Sequence, residues 1–503
     1  MTSVYWHGYV SFQKPAAVSA GDWTTAMAAI KTDLEYAPTD GNPSHRWHAV
    51  ITGDTTHAEC LMNIRKLTTT HLSTITGFDM GGAWEAHGIN QETSRSVILV
   101  HSLIKDRASN IWAYAVFTPA SNSMTHVQAA IDLAVANGSG VVDCTGLTVD
   151  ITKAGHIYSI SPTDYGLWVN GNNIWVKGGT FQMVAKPDAT SFVMMVFGNG
   201  GTGTLEPPYG DGTWCYGNRL IGATFTGTGI TQQDRFDIGL LIASPVQFTY
   251  CQDFLLDRVT VVDGWNAGLL INTSSRYGAL LDCVVNGVDY YTYRPFGIIL
   301  DGTIYTVVSG CELHANHGIN IESNLDNCSY PDTTIGFCHH NSIVGNLILD
   351  MASEANGYII GVGLTLSGTS STIVQGNTFS NNPDDAWTIE GVQIKPMSYA
   401  TFGSSPSNDN TIQENTVISN TVNSAYLFDF WGIADLNADG NIIVSGNEIT
   451  NNTITKFTKK AWFRNALVSG NIIQGNTYDG VVNGYGYDSA GDEAAIVANN
   501  SLQ

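Results

Sequence analysis

The stretch IIVSGNEIT, Ile442 to Thr450, carries a phrase that returns through the chain: apolar, any, Gly, Asn, any, apolar. It recurs as IVGNLI at 343–348, VQGNTF at 374–379, IQENTV at 412–417, VSGNII at 468–473 and VANNSL at 497–502. Weaker copies put another residue in the Asn place: VKGGTF at 176–181, LIGATF at 220–225, LDRVTV at 256–261, LLDCVV at 280–285 and VSGCEL at 308–313. Successive fourth positions lie 24 to 44 residues apart, for example 259 to 283 and 179 to 223. A repeat that is stretched by insertions and never shorter predicts a solenoid, in which each layer buries its apolar face by stacking on its neighbours.

A second phrase, Gly, apolar, any, apolar, follows most copies: GLLI at 268–271, GIIL at 297–300, GINI at 318–321, GLTL at 363–366 and GVQI at 391–394. Each layer therefore holds at least two short strands with period-2 alternation and no helical periodicity between them, which predicts a mostly β fold, a parallel β-helix. The recurring Asn has a structural reason: at a bend its amide satisfies backbone groups leaving the sheet, and stacked copies bond along the axis. The six Asn at 346, 377, 415, 447, 471 and 500 are expected to stack on one inner bend.

With these two phrases the chain resembles the pectate-lyase-like right-handed parallel β-helices, and among them the tailspikes of bacteriophages, over residues 124 to 503. Residues 1–120 do not share the repeat and read as a small α+β domain. Within it, Val4–Phe12, His48–Thr52 and Ser96–Leu103 pattern as strands. Trp23, Met27, Ile30 and Leu34 share a helical face behind Asp22, and Cys60, Leu61 and Ile64 suggest a second helix. Thr118–Ser123 is a polar, Pro-containing boundary, and residues 121–503 are read as the β-helix. The β-helix opens with a helix whose stripe is Val127, Ile131, Leu133 and Ala134, stopped by Asn137-Gly138. Tailspikes of this kind open with such a helix, which the end of a solenoid needs as a lid over its apolar core. The Asp- and Gly-rich phrase those proteins place just upstream is not found here.

The balance of 21 Lys and Arg against 44 Asp and Glu gives a net charge of −23, which repels phosphate backbones and argues against a nucleic-acid partner. The sequence holds no apolar run of membrane-spanning length, and its first residues lack the pattern of a signal peptide. Cytoplasmic synthesis in a host and release by lysis fit that start. Eight Cys occur without Cys-x-x-Cys spacing; Cys283 and Cys311 fall on consecutive layers and are expected as stacked buried thiols.

Stacking turns sequence into columns with one residue per layer, about 4.8 Å apart. The column after the Gly-phrase strand reads Asn272, Asp301, Glu322, Ser367 and Lys395. Asp301 and Glu322 then stand on adjacent layers, where two close carboxyls leave one proton donor beside one carboxylate, the pair that glycoside hydrolysis needs. Tyr291, Tyr293 and Arg294 enter the Asp301 layer and His317 precedes Glu322, so these are candidate sugar-binding residues. A solvated polar edge is the bland alternative. A rival pair is Asp384 and Asp385, with Trp387 and Lys395 close behind; it resembles the paired Asp and later Lys of polygalacturonases, without their full motifs. Asp435, Asn437 and Asp439 have the spacing that opens a calcium loop, but Gly446 stands where the closing Glu belongs, and a polar turn explains the same residues. No cofactor is expected beyond such a calcium ion.

The resemblance implies a tailspike whose N-terminal domain attaches to the phage tail or baseplate. Its β-helix would bind, and cleave, a bacterial surface polysaccharide. Alternatives on the same fold are a non-enzymatic receptor-binding spike and a free polysaccharide lyase or epimerase. The last phrase ends one residue before Gln503, so a subunit contact is expected to cover the final layer, and tailspikes imply a homotrimer.

Overall fold

In the computed structural model the described residues are 8–13, 50–53, 57–62, 84–88, 98–102, 116–157, 163–185, 192–198, 215–227, 244–262, 267–272, 275–288, 296–315, 317–323, 338–351, 361–381, 389–399, 403–405, 407–418, 426–430, 444–455, 459–463, 468–479, 486–487, 493–494, 497–498 and 500–502. The chain divides into one unit of Met1–Ala115 with Tyr277–Ala279 and one of Val116–Arg276 with Leu280–Gln503.

In the first unit, strands β1 (Gly8–Gln13), β2 (Val50–Gly53), β3 (His57–Met62), β4 (Trp84–Gly88) and β5 (Ile98–Ser102) form one mixed sheet in the order β2-β3-β1-β5-β4. The strands expected near Val4–Phe12, His48–Thr52 and Ser96–Leu103 correspond to β1, β2 and β5. Cys60 and Leu61, expected on a helix, lie in β3, paired with Val10 and Tyr9 of β1. A short apolar run is ambiguous between helix and strand, and pairing with β1 and β2 on either side decides it here. The helix expected after Asp22 lies outside the described residues.

The second unit begins with helix α1 (Met124–Ala136), capped by the Ser123 side chain accepting from the His126 backbone N–H and ended before Gly138 at φ 80°. Val127, Ala130, Ile131 and Ala134 are buried, whereas Leu133, expected in the apolar stripe, is 59% exposed. Positions 127, 131 and 134 keep the i, i+4, i+7 spacing of one face, and position 133 falls off it.

Among the described residues three long sheets then run through the coil, with thirteen, eleven and twelve strands. A layer gives one strand to each: Thr411–Gln413 to the first, Thr416–Ile418 to the second and Tyr426–Phe430 to the third. Each pairs in parallel with its counterpart on the next layer, Thr411 with Glu448, Thr416 with Thr453 and Tyr426 with Lys459. The exception within these sheets is Gly155–Ile157, at the end of the third sheet and antiparallel to Thr163–Val169. The apolar residues alternating inward form one core cluster that runs from Val127 on α1 to Ile473.

The Asn phrase occupies two different bends of the coil rather than one. Asn346 Nδ2 donates to Asn377 Oδ1 and Asn377 Nδ2 to Asn415 Oδ1, each at 2.9 Å, but Asn415 continues to Asn452 and Asn452 to Asn476. A second ladder links Asn410, Asn447, Asn471 and Asn500. The expected single column is therefore wrong at the step from Asn415 to Asn447. Both bends are built alike, with a left-handed residue followed by Asn, as in Asp409-Asn410 and Glu414-Asn415. One three-residue strand separates them, so the two copies stand five positions apart and read alike in sequence.

The Gly of the second phrase is also accounted for. A Cβ on Gly363 would lie 2.6 Å from Phe379 and 2.8 Å from the Met351 sulfur, and one on Gly318 2.5 Å from Ile348. Here the third sheet presses its backbone onto side chains of the second, and no other residue fits without displacement. Cys283 and Cys311 are free thiols buried on neighbouring layers, as expected.

Candidate active site

The third sheet positions the candidate acids. Leu269 and Ile271, Ile298 and Leu300, Ile319 and Ile321, Leu364 and Leu366, and Val392 and Ile394 all point into the core cluster. Alternation therefore turns Leu270, Ile299, Asn320, Thr365 and Gln393, and the column two residues further on, to the outer face. The register of that column is the expected one: Asp301 pairs with Glu322, Glu322 with Ser367 and Ser367 with Lys395. Asn272 falls one position past the Ile271–Leu300 pair. Asp301 and Glu322 thus share one face on adjacent layers, about 4.8 Å apart in the backbone.

The strand ends are fixed from below. Gly302, at φ 63°, donates its N–H to the Glu322 carbonyl at 2.8 Å, and Gly368, at φ 62°, donates to that of Lys395 at 2.8 Å. Asp301 is 9% exposed and Glu322 half-buried. Between them lies a residue that sequence reasoning missed: the Cys338 thiol donates to the Glu322 carbonyl at 2.9 Å and accepts from the Thr303 N–H at 3.1 Å. Burial first, and then the charges of Asp301 and of Glu322, push this thiol far above its ordinary range. It is a neutral, buried support for the turn and not a nucleophile. The fifteen residues 323–337 that separate Glu322 from Cys338 hid this proximity from the sequence.

Lys395 joins the same column, two layers from Glu322. His317 does not join it. It starts the strand that Glu322 ends, about 16 Å away along the strand, and is 3% exposed with its ring 5.1 Å from that of Phe296. The candidates Tyr291, Tyr293, Arg294, Asp384, Asp385 and Trp387, and the calcium-loop residues Asp435, Asn437 and Asp439, lie outside the described residues. Among the described residues no group of three or more His, Cys, Asp or Glu could hold a metal ion.

Two His-containing clusters lie elsewhere. His339 and His340 follow Cys338, with Nδ1 atoms 2.8 Å apart and Tyr305 packed on both rings. On the second sheet His314 bridges Glu312 and Asp350, each at 2.7 Å.

No protein-family model matches the chain, and no curated protein matches it. Among solved structures it is similar to the tailspike protein of E. coli bacteriophage HK620, in complex with a pentasaccharide and with one aspartate and one glutamate replaced by alanine. The TM-score is 0.53 at 14% identity, over 74% of this chain and 60% of that one. Against the same tailspike with a single aspartate changed to asparagine the TM-score is again 0.53, over 81% of this chain and 69% of that one. The A-module of the Azotobacter vinelandii mannuronan C-5 epimerase AlgE4 aligns at a TM-score of 0.44 and 14% identity, over 76% of this chain and 95% of that module. The chain thus spans 60% of the first of these tailspike structures. At this identity the likeness defines the fold, a right-handed parallel β-helix.

Proposed function

We propose that this protein is a phage tailspike whose third sheet binds a bacterial surface polysaccharide, capsule or lipopolysaccharide, and whose Asp301 and Glu322 cleave it. The observation that carries the reading is the register of Asp301 with Glu322 on the outer face of adjacent layers. One carboxyl protonates the leaving glycosidic oxygen; the other acts as base or nucleophile. An acidic surface suits a neutral or weakly charged glycan and does not suit nucleic acid.

The test uses purified bacterial capsule and lipopolysaccharide and measures release of reducing ends. Asp301→Asn and Glu322→Gln should each lower the rate at least ~100-fold, with melting temperature and glycan binding nearly unchanged. Full activity in both variants would discard this pair. Binding without cleavage by the wild-type protein would leave a receptor-binding spike.

The remaining features of the reading follow the resemblance to tailspikes. Residues 1–120 attach the spike to the phage tail or baseplate, and the protein works outside the host as part of the virion. The spike is a homotrimer, and sedimentation at micromolar concentration should give about three times the 54.0 kDa chain mass. A monomer at that concentration would rule the trimer out.

A further inference from the structure

Asn320 and Ser367 stand beside Glu322 on the outer face of the third sheet. Asn320 lies two positions before Glu322 on the same strand, and Ser367 is its register partner on the next layer. The two residues are 3% and 0% exposed, yet Asn320 Oδ1 and Ser367 Oγ have no hydrogen-bond partner among the described residues. Buried polar atoms in folded proteins are almost always paired. The contrast within this chain is direct: the ladder amides of Asn346, Asn377, Asn415 and Asn447 each donate to a neighbouring Asn. At Asn320 the same residue type sits where the strand above offers Ile299 and the strand below Thr365.

Both unpaired atoms are neutral. One is an amide acceptor and the other a hydroxyl; of the outward residues on the next two layers Thr365 and Gln393 are neutral as well, and Lys395, the register partner of Ser367, is a cation already engaged in an interaction of its own. A carboxylate placed here would meet an acceptor oxygen and the charge of Glu322. A hydroxyl group would donate to Asn320 Oδ1 and exchange hydrogen bonds with Ser367 Oγ.

We propose that Asn320 and Ser367 form a subsite for the hydroxyl groups of a neutral, uncharged sugar unit, seated on the layers of Glu322 and Ser367. The proposal rests on the reading of this sheet as the polysaccharide-binding face and assigns the substrate class at that position.

The probe is a panel of bacterial capsular and O-chain oligosaccharides with neutral and acidic repeat units. Binding is measured with the full chain carrying Glu322→Gln, alone and combined with Ser367→Ala or Asn320→Leu. Each added change should weaken binding of neutral oligosaccharides ~10-fold, one lost hydrogen bond's worth. Because each removes an unsatisfied buried group, the melting temperature of the free protein should stay level or rise. A lower melting temperature with unchanged binding would mean that the two atoms hold an internal water only, and would overturn the subsite. Binding confined to acidic oligosaccharides, or no binding to any member of the panel, would overturn it as well. Cleavage by the wild-type chain with binding unmoved by both changes sinks the subsite and keeps the enzyme; binding that depends on Ser367 without cleavage does the reverse.

Discussion

At the scale of single residues, the two histidine clusters impose opposite pH dependences. Burial first, and then the neighbouring His340, lower His339 to about 4 from an ordinary 6.5, so the folded state holds it neutral. In acid the unfolded chain takes up a proton that the folded chain refuses. The stability contributed is full above pH 6.5 and is lost as pH falls toward about 4. His314 behaves the other way. Burial pulls it down, but hydrogen bonds to Asp350 and Glu312 and their charges outweigh that, and its value is raised. Its contribution is full below 6.5 and is lost as pH climbs through the raised folded value. Denaturant titrations from pH 4 to 9 should show His339→Gln flattening the acid limb and His314→Gln flattening the limb above 6.5. An unchanged acid limb in the His339 variant would contradict its burial as a neutral ring. The Asp301–Glu322 column was legible in the sequence because the Gly phrase marks the strand and period-2 alternation assigns the face. His317 was misjudged for a related reason: nearness along an extended strand is distance in space, at about 3.3 Å per residue. Cys338 was hidden by the insertion before it, which no periodicity spans.

At the scale of the repeating element, strand periodicity exposed the fold and a degeneracy hid the register. Asn447 and Asn452 both follow a left-handed residue and precede a strand, so a motif search meets two equivalent starts in one layer. Only the pairing of Thr411 with Glu448 and Thr416 with Thr453 tells the bends apart. The ladder also ranks substitutions. Asn377 is 0% exposed; its Nδ2 donates to the Ile343 carbonyl and to Asn415, and its Oδ1 accepts from the backbone and side-chain amides of Asn346. Asn377→Ala should cost about 3 kcal/mol or more, because several buried groups lose partners at once. Asn476 closes the same ladder half-buried, where water reaches what the side chain leaves, and Asn476→Ala should cost about 1 kcal/mol. Urea denaturation of the two variants measures the difference; equal losses would mean that the ladder does not act as a buried network.

At the scale of the whole molecule, the core cluster sets what folds as a unit. It runs without a break from α1 to Ile473. In a solenoid each layer is held by its neighbours, so stability propagates along the axis and depends on closed ends. The described closure is α1, which lays Val127, Ala130, Ile131 and Ala134 over the first layers. Residues 116–503 produced alone should therefore keep the β-rich circular dichroism of the full chain and a melting temperature within ~5 °C of its main transition. In the same fragment Ile131→Asp, which places a charge at a 0% exposed position of the cap, should lower that temperature by ~10 °C or more. The outward Leu133→Asp on the same helix should leave it nearly unchanged, since that side chain is 59% exposed. If the fragment failed to fold, or if both α1 substitutions had the same effect, the solenoid would depend on something other than its own capped core.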